Sequence, residues 1–405
     1  MILRLRESPP WDTALAAAVC VLLVAGSLSI AVTQIALGLA LALLLARGVV
    51  AGVRPPRLGL EGPALALAAW AALMIPFSTD SGQSLVFYRR FFLLAALWVG
   101  AAAAGGEGRR AWLLACLLAG AIVSSLWGAG TLLAETGSLF GRRLGQISNP
   151  MTSGAVLMMA VLAAGAVLLQ RGLPGRLRAL VAVAALPVLG GLVLTVTRSA
   201  WFGLVAGGLA MLVVARPRLL LPAGLGAILL AALLLFAPDG LLPERMARIT
   251  SAEYLTSGAS TSRRLTMWQG GWAMVRDKPL TGVGDRDLRE LGPLYYAEDP
   301  AFYHGHLHSN PVMFAVIWGL PGLVLASVFI GAQAVLLVRR VRGLRRRPPG
   351  AVPWAEAWAL AAVGVWCGLL VAGCFEWYFG DAETQTLNLA IVGIALGAGT
   401  EHSHD

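Results

Sequence analysis

The stretch TSGAVLMMAVLAAGAVLL, residues 152–169, decides the fold: it contains no charged side chain, amide or imidazole. A helix needs about 20 apolar residues to cross a hydrocarbon core of about 30 Å. In lipid, any other backbone conformation leaves N–H and C=O groups unpaired, so the segment reads as a membrane-spanning helix. Similar blocks recur outward in both directions. Spans are expected at roughly 11–28, 32–47, 62–78, 90–106, 110–133, 152–169, 178–196, 199–215, 218–237, 312–338, 354–375 and 385–400. Of the 405 residues, 58% are hydrophobic and 13% charged, against about 25% charged in soluble domains. The expected fold class is all-α, a polytopic transmembrane helical bundle of about 12 spans with a long extracytoplasmic loop subdomain. Arg4 and Arg6 precede the first apolar block as in a signal peptide. That block runs on into a second span, so it reads as an uncleaved first helix. Cys20, Cys116, Cys367 and Cys374 all fall in apolar segments, without a disulfide or zinc-site spacing.

The basic residues flanking the blocks set the topology. Arg47, Arg54 and Arg57 follow the second span, and Arg109 and Arg110 follow the fourth. Arg171, Arg176 and Arg178 follow the sixth, Arg216 and Arg218 the eighth, and a cluster from Arg339 to Arg347 the tenth. Lysine and arginine favour the cytoplasmic side, and this alternation places both termini there. It also accounts for most of the net charge of +10, so no nucleic-acid partner is expected. Three regions follow: spans one to nine over 1–237, an outward loop over 238–311 and the last spans over 312–405. The loop carries mixed charge and several aromatic residues, which suggests a folded subdomain. Within it, 261–276 reads as an amphipathic helix capped by Thr261 and Ser262. Asp277-Lys278-Pro279 ends that helix, and Gly282-Val283-Gly284 makes a turn.

Unusual polar residues gather on the outward face. Arg198 sits where span seven turns into span eight, and an arginine at membrane depth is a functional candidate. Arg142 and Arg143, Arg89 and Arg90, and Arg263 and Arg264 face the same way, against the positive-inside bias. Guanidinium grips phosphate bidentately, so these arginines suit an anion such as the diphosphate of a lipid carrier. The plain alternative is a set of solvated charges. His304, His306 and His308 alternate at the end of the loop. They could hold a metal, one could be a general base, or they could be interfacial histidines. His308 precedes Ser309-Asn310-Pro311, a helix-start signal that puts it at the mouth of span ten. Glu376 and Asp381 lie on the last outward connection, where they could pair with arginine, orient a histidine or simply sit at the interface. No phosphate-binding glycine loop and no cytoplasmic domain occur, which argues against nucleotide hydrolysis.

Three stretches carry a resemblance: Thr195-Val196-Thr197-Arg198-Ser199-Ala200-Trp201; Arg264 through Trp268 followed by Pro279-Leu280-Thr281-Gly282-Val283-Gly284; and His308-Ser309, nine residues, then Gly319 through Gly322. Together they resemble the O-antigen ligase and polymerase superfamily of bacterial envelope glycosyltransferases. His304 and His306 depart from its pattern, and Arg263 beside Arg264 leaves the acting arginine open. The resemblance implies transfer of an O-antigen glycan from undecaprenyl diphosphate to a sugar hydroxyl of the lipid A core, completing lipopolysaccharide at the periplasmic face of the inner membrane. It implies no metal or other cofactor. His308 would be the base, and Arg198 and Arg264 would bind the diphosphate with help from Arg263, Arg142 and Arg143. His306, Asp381 and Glu376 would stand in support. An O-antigen polymerase is the related alternative, and a transporter of lipid-linked sugars the alternative of another class.

Overall fold

A computed structural model of the chain describes residues 10–145, 149–170, 172–222, 224–226, 259–296, 303–348 and 350–397. These residues are helical throughout, with no strand among them. Helices α1 (Pro10–Ala25), α2 (Ile30–Ala51) and α3 (Glu61–Met74) are followed by α4 (Ser81–Tyr88). A 3₁₀ stretch joins α4 to α5 (Ala95–Ala103), and α6 (Gly106–Thr136) follows. Then come α7 (Pro150–Leu169), α8 (Gly175–Leu194), α9 (Arg198–Ala215) and the loop helix α10 (Ala259–Asp277). The chain ends with α11 (Asn310–Arg345), α12 (Pro353–Ala372) and α13 (Ala382–Gly397). Among the described residues, eight helical stretches are long and apolar enough to cross a membrane, and two shorter apolar helices lie at Pro10–Ala25 and Glu61–Phe77. Most of the span expected at 218–237 lies outside the described residues, as do the following residues to 258.

Local chemistry explains where the helices start and stop. Asn149 accepts a hydrogen bond from the Thr152 N–H at 2.9 Å, and Pro150 supplies a preset φ in the first turn of α7. Asp80 caps α4 through the Gln83 N–H at 2.9 Å. Gly137, at φ +67°, closes α6. One expected cap moves: Thr261 and Ser262 lie inside α10, which already includes Ala259.

Without a hydrophobic force between helices in lipid, close packing needs small residues. Gly203 and Gly207 of α9 face Gly364 and Gly368 of α12. A Cβ on Gly203 would come within 2.6 Å of the Gly368 oxygen, and one on Gly207 within 2.4 Å of the Gly364 oxygen.

Helix α11 breaks at Gly319, whose φ of 69° and ψ of −178° are not helical. The loop after α10 enters that break. The Val283 and Gly284 N–H groups donate to the Val316 and Ile317 oxygens at 2.8 and 3.2 Å, and the Leu320 N–H donates to the Pro279 oxygen at 2.8 Å. Gly282 and Gly284 both take positive φ there. The expected Gly-Val-Gly turn is therefore one half of a clasp, and Gly319 is the other. On its far side the loop meets the start of α4, where the Thr79 N–H donates to the Val283 oxygen at 2.9 Å.

Candidate functional site

His308 stands one residue before the N-cap of α11, with its backbone in the left-handed region at φ +49°. Its Nδ1 lies 2.7 Å from Glu376 Oε1. Burial raises the Glu376 carboxyl, but the His308 hydrogen bond and the charges of His308 and His306 outweigh it and hold the group below the usual carboxylate range. An ionised carboxylate only accepts, so His308 Nδ1 donates this hydrogen bond, and in the neutral ring Nε2 is the nitrogen that keeps its lone pair. Asn310 sets this pair up. Its N–H donates to the Gly373 oxygen at 2.7 Å, and its Oδ1 accepts from the Phe379 N–H at 3.1 Å. The connection that bears Glu376 is thereby pinned to the start of α11.

A cavity of about 350 Å³ opens beside His308, within the range of ligand pockets of about 300–1,000 Å³. Arg263, Arg264 and Met267 of α10 form one wall, with His304 and His308 beside them. The rest of the lining holds Arg143, Met151 and the turn from Val196 to Ser199, including Arg198. Four arginines thus line one cavity. The first turns of α7 and α9 also end on it, and helix N-termini favour anions.

Each wall is fixed by bonds far apart in sequence. Arg143 donates from Nε to the Thr195 oxygen at 2.9 Å and from an Nη to Thr197 Oγ1 at 3.0 Å. Thr197 Oγ1 donates in turn to the Pro150 oxygen at 2.9 Å. Trp268 Nε1 donates to the Leu307 oxygen at 2.9 Å and so ties α10 to the histidine segment. Ser199 Oγ and the Tyr378 hydroxyl lie 3.2 Å apart.

The other expected residues divide. Arg142 points away from the cavity and pairs with Glu135 at 2.6 Å on the surface. Arg90 forms a half-buried pair with Asp285 at 3.0 Å, so it secures the loop and lies outside the cavity lining. Glu376 is hydrogen-bonded to His308. Among the described residues Asp381 makes no ion pair with a histidine or an arginine; its Oδ2 accepts from Thr152 Oγ1 at 2.7 Å. Burial pushes Asp381 up to about 7 and His306 down to about 4. His306, His308 and Glu376 each offer a metal-ligating atom, all within 4.8 Å of one another. Sequence reasoning did not single out Asn310, Thr197 or Tyr378. Asn310 was visible only as part of a helix-start signal.

Residues 180–327, a little over a third of the chain, match the family model described as O-antigen ligase. This match supports the resemblance read from the three motifs. It contains Arg198, Arg263, Arg264 and all three histidines of the cavity region, while Arg143, Glu376 and Asp381 lie outside it. The family is one of membrane glycosyltransferases of the ligase and polymerase type, which act with lipid-linked glycans. No curated protein matches the chain.

Proposed function

We propose, with that family as premise, that this protein transfers a glycan from undecaprenyl diphosphate to a sugar hydroxyl of the lipid A core. The cavity faces the periplasm, about 12 spans hold it in the bacterial inner membrane, and both termini are cytoplasmic. One observation carries the reading: a histidine oriented by a buried carboxylate at 2.7 Å stands on a cavity lined by four arginines. His308 Nε2 takes the proton of the acceptor hydroxyl as the oxygen attacks the anomeric carbon. The bond from that carbon to the diphosphate oxygen breaks on the opposite face, which inverts the centre. The electron pair leaves with undecaprenyl diphosphate, whose negative charge grows by one. Arg143, Arg198, Arg263 and Arg264 stabilise that growing charge from fixed positions, which needs no reorganisation in the transition state. Glu376 stabilises the imidazolium that forms. The proton then passes to solvent. Neither a metal nor a nucleotide takes part.

The test combines purified protein, undecaprenyl-diphosphate glycan and lipid A-core in detergent or liposomes, with EDTA present. Wild type transfers the glycan to lipid A-core. His308→Ala, checked for folding, loses about 10²-fold to 10⁴-fold in rate, and Arg264→Ala loses about 10²-fold to 10³-fold. Elongation of the lipid-linked glycan would identify a polymerase. Intact donor with both acceptors untouched by folded wild type would refute the enzyme reading and favour a transporter.

A further inference from the structure

The transfer reaction needs one histidine, yet three rings gather at the mouth of α11. The His306 and His308 centroids lie 4.4 Å apart, and His304 stands edge-on to His308 at 5.6 Å. Glu376 Oε1 lies 2.7 Å from His308 Nδ1 and 3.8 Å from His306 Nδ1. The other carboxylate oxygen, Oε2, is buried and accepts no hydrogen bond among the described residues. The His306 Nδ1 lone pair receives only a long bond, 3.4 Å from the His308 N–H. Glu376 Oε1 and the Nδ1 atoms of His306 and His308 therefore converge, and Oε2 of the same buried carboxylate is left unpaired among the described residues.

We propose that His306, His308 and Glu376 form a site for a divalent transition metal, best suited to Zn²⁺, and that filling it switches the protein off. Zinc takes imidazole and carboxylate ligands at about 2.0–2.2 Å in tetrahedral geometry, which sets the ligand atoms about 3.3 Å apart. The 3.8 Å pair closes by about 0.5 Å and the 2.7 Å pair opens by about 0.6 Å to reach that spacing. Small side-chain rotations cover both changes. Water or His304 fills the remaining position.

Inhibition follows from the tautomer, and this half of the proposal rests on His308 being the base. The ion binds Nδ1 and displaces its proton to solvent. The neutral ring then carries its only proton on Nε2, the nitrogen that must accept one from the acceptor hydroxyl. No electron is transferred, and removing the ion restores the original tautomer.

The experiment titrates Zn²⁺ into purified, EDTA-washed protein by calorimetry and by competition with a chromogenic zinc indicator. Wild type is expected to bind one ion per chain. His306→Ala and the near-isosteric His306→Gln, both checked by thermal melting without metal, should weaken binding by at least about 10-fold. Wild type without saturable binding, or both folded variants binding like wild type, would overturn the site. Inhibition is read separately, as the ratio of transfer rates with and without Zn²⁺ in each protein. Wild type should be inhibited and recover in EDTA, and the variants should resist. Full transfer by zinc-loaded wild type would overturn the switch. A wild type that binds zinc but transfers no glycan in EDTA would refute the proposed enzyme and the switch with it, because the binding measurement stands apart from transfer.

Discussion

Replacing Gly319 with alanine tests whether the clasp between the loop and α11 holds the site together. At φ 69° and ψ −178° this residue occupies a region almost reserved for glycine. A Cβ there would lie 2.3 Å from the Leu280 oxygen, 2.5 Å from the Leu280 carbonyl carbon and 2.8 Å from the Pro279 oxygen. All three are backbone atoms and cannot swing aside as a side-chain end can. If the clasp stays shut, the backbone strain alone costs about 1–3 kcal/mol, and the clash adds to it. If the clasp opens, three backbone hydrogen bonds are lost at about 1 kcal/mol each. Either route gives a destabilisation of about 3 kcal/mol. Opening the clasp also frees the segment that follows α10, so the alignment of Arg263 and Arg264 with His308 loosens and transfer falls. Gly331→Ala is the control, because a Cβ on that residue of the same helix meets no atom within 4 Å. Thermal unfolding followed by tryptophan fluorescence in detergent should show Gly319→Ala melting several degrees below both wild type and Gly331→Ala. Equal melting of the two alanine variants would refute the clasp as the structural reason for the Gly-x-x-Gly motif.

Arg142→Ala breaks an exposed ion pair, worth at most about 1 kcal/mol, and should leave kcat/KM nearly unchanged. Arg143→Ala unties the Thr195–Thr197 turn and removes a cavity cation, and should lower kcat/KM by about 10²-fold. Glu376→Gln removes the charge that orients His308 and should lower kcat by about 10²-fold, with Glu376→Asp restoring part of it; equal rates for wild type and Glu376→Gln would exclude the positioning role. Asp381 titrates at about 7 in the folded protein against an ordinary value of 3.8. A raised carboxyl pKa favours the protonated folded state, so its stabilisation is complete below about pH 4 and is lost as pH rises through 7. That loss amounts to about 4 kcal/mol. Melting temperature should fall between pH 5 and pH 8 in wild type and fall less in Asp381→Asn; parallel curves would count against the buried-acid reading.

What the sequence made legible was set by local physics. Apolar blocks such as 152–169 became helices because lipid allows little else, and Asp277-Lys278-Pro279 ended α10 because proline disrupts a helix. Ser309-Asn310-Pro311 marked the start of α11 for the same kind of reason. The pairings that sort one arginine from its neighbour are not local. Arg142 and Arg143 are adjacent in sequence, yet one meets Glu135 on the surface and the other meets Thr195 and Thr197 across the bundle. Arg90 carries the same charge as the cavity arginines, but Asp285, far along the chain, takes it for the loop. The second and third motifs were read as separate patterns. They are two sides of one contact, because the Gly282–Gly284 turn fills the break at Gly319 and neither glycine set has a reason without the other.

Backbone strain locates the site independently of charge. Among the described residues only two that are not glycine have positive φ: Val196 at 52° and His308 at 49°. A β-branched residue in that region is an outlier, and each such position costs about 1–3 kcal/mol. Both line the same cavity. Each is held by its surroundings. The Val196 turn is clamped by Arg143 on the Thr195 oxygen and by the Leu144 N–H on the Leu194 oxygen at 2.9 Å. His308 is fixed between Trp268 on the Leu307 oxygen and Asn310 on the Gly373 oxygen. The Val196 turn delivers Arg198 to the first turn of α9, and the His308 conformation brings its ring against Glu376. Positive φ outside glycine, found among these residues only at Val196 and His308, thus sets the backbone beside the proposed cation Arg198 and at the proposed base His308, on one cavity.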